Sequence, residues 1–144
     1  SPPGCRSALD SLKGDYVNPY SHDRVPVERY GLTRRTSIPL GRVYRQVPEW
    51  LKRDIEVPLS LVWTRQETVI PHKVAEYQRL DPKSFIGDNA AWLTAWDDGT
   101  FETHSNHRTA ATLARGEHWL RARIHFVLTH PGHRFIEGTY RYVD

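Results

Sequence analysis

The sequence predicts an α+β domain: a small mixed β-sheet with helices packed on one side. Three observations carry that expectation. A β-branched and aromatic run, Leu59-Ser60-Leu61-Val62-Trp63-Thr64, precedes a segment with apolar residues at helical spacing. The step Asp97-Asp98-Gly99 joins two strand-like stretches. A helical stretch containing Ala110, Leu113 and Ala114 then leads into the alternating run from Arg121 to Val127. The order strand, helix, hairpin, helix, strand suits one sheet layer covered by helices.

Each element has a local cause. Pro58 introduces the first strand, and Arg65-Gln66-Glu67-Thr68 reads as the polar turn that ends it. Ile70, Val74 and Tyr77 share a helical face, with Pro71 suited to the first turn and Asp81-Pro82 as a stop, so a helix of about three turns is expected. Residues 81 to 90 follow as a loop. Ala91-Trp92-Leu93-Thr94-Ala95-Trp96 and Thr100-Phe101-Glu102-Thr103 form the hairpin, Gly99 supplying the left-handed turn residue. Asn106 is placed to cap the second helix and Gly116 to end it. In the strand that follows, Ala122, Ile124 and Phe126 are expected to point inward. Phe135 to Val143 reads as another strand or an extended tail. Trp63, Trp92 and Trp96 are expected in the core or half-buried, while Trp50 and Trp119 could pack helices or stack on bases.

The chain has 144 residues, enough for one domain with a real core. Residues 1–56 differ from the rest: prolines are concentrated up to Pro58, among arginines and tyrosines, with little periodicity. They read as an irregular N-terminal segment wrapping a domain of residues 57–144. Within it, Pro48 to Asp54 has the proline and acid of a short helix start, anchored by Trp50 and Leu51. No apolar run is long enough to span a bilayer, so a soluble chain without membrane contact is expected. Ser1 in place of an initiator Met, and no Met anywhere, suggest an excised segment. The single Cys5 excludes an internal disulfide and a Cys-based zinc site. The net charge of +3 is carried mainly by arginine, which grips phosphate through a planar fork.

The stretch His104-Ser105-Asn106-His107-Arg108 joins a strand to a helix start. Free backbone N–H groups and the helix dipole make such a junction an anion site. Ser105, Asn106 and Thr109 can donate further hydrogen bonds, Arg108 can clamp a phosphate, and His107 titrates near neutrality as an acid or base. A plain cap with solvated first-turn residues would explain the same pattern.

Asp98-Gly99-Thr100-Phe101-Glu102-Thr103-His104-Ser105-Asn106-His107-Arg108 through Gly116 resembles the ParB-like nuclease and sulfiredoxin superfamily. There an Asp-Gly hairpin leads into a Gly-(Asn/His/Glu)-(His/Arg)-Arg element and an alanine-rich helix; Ser105 stands here where the glycine is usual. Residues 57 to 77, with the pair Arg65-Gln66, are similar to that superfamily's opening strand and helix, and the resemblance spans about residues 57 to 127. It implies phosphate chemistry on nucleic acid or a nucleotide. His107, Arg108 and Glu102 would be catalytic, and Arg65, Gln66, Ser105, Asn106, Arg108 and Thr109 would bind phosphate. It further implies a nuclease, such as a bacterial toxin domain released from a larger secreted protein to act in a target cytoplasm, with an immunity protein as partner. An NTP-binding phosphotransferase or NTPase, or a non-catalytic DNA-binding module, would use the same loop.

Two metal readings remain beside this one. His104 with His107, and His130 with His133, are pairs three apart that could bind a transition metal, although chance pairs are common among eight histidines. Asp88, Asp97, Asp98, Glu67 and Glu102 include the carboxylates that could hold Mg²⁺ against a phosphate. No metal-ligand set is assigned, and Mg²⁺ is the one cofactor this chemistry would call on.

Overall fold

The structure, a computed structural model, describes residues 23–130 and 139–143. Its centre is β9 (Trp119–Thr129), the longest strand, in which side chains alternate between buried and partly exposed over the first half. β4 (Ile55–Pro58) pairs antiparallel with the first half of β9, and β3 (Val43–Gln46) antiparallel with the second half. On its other side β9 lies parallel to β7 (Ala91–Trp96). The sheet then continues through β8 (Phe101–Thr103), β5 (Val62–Thr64) and β2 (Thr33–Arg34), while β10 (Arg141–Tyr142) borders β4. It is a mixed sheet, as expected. β1 (Val25–Pro26) and β6 (Thr68–Val69) make a separate two-stranded ladder.

The helices are α1 (Pro71–Arg79) and α2 (Asn106–Ala114). Pro71 opens α1, where its missing N–H costs nothing. The small, fully buried Ala110 and Ala111 let α2 sit close to Val74 of α1 and to Val27, Leu32 and Val69. Leu113 joins this cluster to the main core of Leu51, Ile55, Val57, Leu93, Phe101, Leu120 and Ile124. Gly116, at φ +76°, closes α2: its N–H donates to the Leu113 carbonyl and that of Glu117 to Thr112, which satisfies two carbonyls left over at the helix end. The Asp-Gly hairpin also forms as expected, with Gly99 at φ +86° between β7 and β8.

Several expectations need correction. Leu59–Leu61 is a 3₁₀ turn, and only Val62–Thr64 continues as strand. β4, just upstream, was expected to be irregular, and residue 57 falls inside it. Pro48 to Asp54 contains one 3₁₀ turn, Glu49–Leu51, in which Leu51 is buried while Trp50 stays 51% exposed. Phe126 points outward because the β7–β9 register jumps from Leu93↔Ile124 to Thr94↔Phe126. That bulge at His125 reverses the alternation, so Val127 takes the inward place. Trp92 is exposed as well and stacks on His125, ring centroids 3.8 Å apart. Trp96 is the tryptophan that the core does take in, with the Arg35 guanidinium over its ring. Of the expected C-terminal strand, residues 135–138 lie outside the described residues.

Candidate functional site

β8 and the first turn of α2 place four polar side chains around one opening. Glu102 sits in mid-strand, opposite Thr94 of β7 and beside Trp63 of β5, with its side chain only 3% exposed. Its Oε1 has no hydrogen-bond partner. Its nearest partners stand off: Arg65 Nε is 3.8 Å from Oε1 and the His104 ring Nε2 is 3.5 Å from Oε2. A buried carboxylate oxygen without a hydrogen bond is costly to keep.

His104 is fixed by both backbone and side chain. Its N–H donates to the Trp92 carbonyl at 2.8 Å, and its Nε2 lies 2.7 Å from Thr94 Oγ1. With Nε2 turned toward Thr94 and Glu102, the half-exposed ring leaves Nδ1 with no partner among the described residues. Tyr44, from β3, closes the same depression, which Arg65, Gln66, Glu102, Thr103, His104 and Asn106 also line. Burial first, then the charge of Glu102, raises the Tyr44 phenol pKa, so the ring remains a neutral donor.

A second depression opens over the start of α2 and shares Gln66, His104 and Asn106 with the first. Ser105, His107, Arg108 and Tyr77 complete it. Ser105, not Asn106, is the capping residue. Its Oγ accepts the Trp92 N–H at 2.9 Å, so the hydroxyl proton stays free to donate. The first-turn amides of α2 have no carbonyl of their own helix to bond.

The expected site residues divide accordingly. Asn106 and Gln66 do meet, Asn106 Nδ2 donating to Gln66 Oε1 at 3.0 Å, but both amides are tied up: Thr64 Oγ1 donates to Asn106 Oδ1, and Gln66 Nε2 to the Thr68 carbonyl. Thr109 is fully buried and its hydroxyl donates back to the Ser105 carbonyl at 2.9 Å, so it cannot reach a ligand. His107 Nε2 accepts the Ile70 N–H at 3.2 Å, clasping the start of α1 to that of α2. Burial, then the charges of Lys73 and His72, lowers the His107 pKa and keeps the ring neutral. Arg108 lies over the Tyr77 ring at 4.6 Å and near Phe85 at 5.8 Å. Arg65 and Arg108 thus line adjoining depressions rather than a common one.

Among the described residues, several of the carboxylates named for Mg²⁺ have cationic partners of their own. Asp97 is paired to Arg42, Asp98 to Arg35 and Thr100, and Glu67 to Arg34, so these carboxylates do not converge with Glu102. No group of three His, Cys, Asp or Glu is arranged to hold an ion among those residues, and His133 lies outside them. No helix among them is long and apolar enough to cross a membrane. No known family model matches the chain, and no curated protein does either.

Two participants escaped the sequence reading. His104 reads from the sequence only as part of the loop and as half of a histidine pair, although its position two residues after Glu102, just past the end of β8, was the available signal. Tyr44 had none: it reaches the site only because β3 pairs with the far end of β9.

Proposed function

We propose that this chain is a phosphate-directed enzyme that cleaves nucleic acid, with His104 as its acid/base and Glu102 as the residue that positions and polarises it. The observation that carries the reading is the sealed, under-paired Glu102 carboxylate between Arg65 and His104, in a depression continuous with a helix N-terminus. Arg65, the Ser105 hydroxyl and the first-turn amides of α2 are the donors for a phosphodiester, and their positive potential opposes the charge that builds on its oxygens as it is attacked. His104 Nδ1 takes a proton from an attacking water as the new P–O bond forms. Water protonates the leaving oxygen as the old P–O bond breaks, and His104 returns its proton to solvent.

The likeness of residues 57 to 127 to ParB-like nucleases supports the same chemistry from the sequence side. It also favours a role as a bacterial toxin domain, for which an immunity protein would be the natural partner. The test is to incubate the full chain with single-stranded and duplex DNA and RNA, in EDTA and in Mg²⁺. Removing His104 with His104→Ala should lower cleavage on the order of 10²-fold or more, the usual worth of a positioned acid/base. Arg65→Ala should weaken substrate binding, and circular dichroism should show both variants folded. Unchanged cleavage in His104→Ala would refute the assignment.

A further inference from the structure

Beside His104 lies a hollow of different character, lined by Tyr44, Thr94, His104 and Phe126 and about 350 Å³ in volume, within the size range of small-ligand sites. Tyr44 and Phe126 are 49% and 44% exposed. Two large rings left half in water on a sheet face lose hydrophobic stabilisation that an inward residue would gain. Their placement follows from two features already described: the pairing of Tyr44 opposite Leu128, and the bulge at His125 that turns Phe126 outward. The rings meet edge to face, centroids 6.3 Å apart and planes at 77°, and so form a corner rather than a closed stack. A flat ligand can lie on one ring with its edge against the other.

Tyr44 and His104 line both this hollow and the one that holds Arg65 and Glu102, so the two adjoin. An apolar corner thus runs into a cation and, beyond it, a helix N-terminus. A nucleotide has that same sequence of properties: a flat aromatic base at one end and a negative phosphate at the other. Resting on the phosphate-directed reading above, we propose that the Tyr44–Phe126 corner is a nucleobase subsite, which takes one unpaired base beside the phosphate bound at Arg65. A base inside a duplex has both faces covered by its neighbours and must be unstacked before it can enter. The corner therefore selects single-stranded nucleic acid. Because stacking engages the π-face that every base has, it does so with little preference among bases.

The test is fluorescence anisotropy with the full chain in EDTA at low salt. Three labelled probes of equal length are compared: a single strand of thymidines, an abasic single strand, and a duplex. The thymidine strand should bind about tenfold more tightly than the abasic strand, the effect expected of one stacked base, and the duplex should lose the same advantage. Phe126→Ala and Tyr44→Ala should each shrink that gap by weakening the thymidine strand, while Tyr44→Phe should keep it. Equal affinity of the native chain for thymidine and abasic strands would overturn the subsite and leave the phosphate reading standing. So would an undiminished gap in both alanine variants. Binding of none of the probes would overturn both readings.

Discussion

Two buried carboxylates belong to the same hairpin, and they are held in opposite ways. Asp97, at the turn, receives Arg42 Nε at 2.5 Å and has His130 Nε2 at 3.7 Å. Glu102, on β8, has Arg65 at 3.8 Å and the His104 ring at 3.5 Å, and one oxygen without any hydrogen bond. Close pairing offsets the desolvation of a buried charge, and loose pairing does not. Asp97 is thus a tie that fastens the segment before β3 to the hairpin turn. Glu102 is left loosely paired, and it lines the polar opening.

Three measurements can break or sharpen this contrast. The largest stability effect should come from Arg42→Ala, which strands the Asp97 carboxylate: about 2–4 kcal/mol in urea unfolding, given that the pair is nearly but not wholly buried. If the midpoint does not move, the tie is not one. Glu102→Gln should act in reverse, leaving stability unchanged or slightly higher because an under-paired charge is removed. Its cost should fall on turnover, about tenfold in kcat with KM unchanged, as for residues that orient a reacting group. A stability loss as large as that of Arg42→Ala would erase the distinction between the two carboxylates.

The smallest effect concerns His107. Burial depresses its pKa below the ordinary 6.5, so the unfolded chain takes up the proton more readily than the folded one. The stabilisation from the neutral ring and its bond from Ile70 N–H is therefore complete above about pH 6.5, and is lost as pH falls through the lower folded-state value. His107→Ala should cost about 1 kcal/mol at pH 7.5 and should flatten the acid side of the stability profile. If native and variant chains keep equal slopes from pH 7 down to pH 5, the ring is not held neutral.

Much of the fold was legible because its signals are local. Asp98-Gly99 forms the hairpin and Gly116 the helix end because each glycine relieves a left-handed backbone within four residues of its partners. Pro71 opens α1 for a similarly local reason. β3 and β4 were not legible, since short strands among prolines acquire their order from β9, more than sixty residues away in sequence. Of the candidate site, the strand-to-helix step at residues 104 to 108 was legible, and it does line the two openings at the start of α2. The partners that Thr109, Asn106 and His107 find inside the protein were not legible, because no spacing rule supplies them.

By itself, then, the sequence determined the hairpin with its Asp-Gly turn and the glycine that ends α2, and that the strand-to-helix step carries polar groups. Only the tertiary structure decided which histidine faces the opening, that Tyr44 joins it, and that Phe126 turns outward. The physical reason is that a one-residue bulge or the clasp of one helix start on another reassigns a side chain's direction without changing the local pattern that places it.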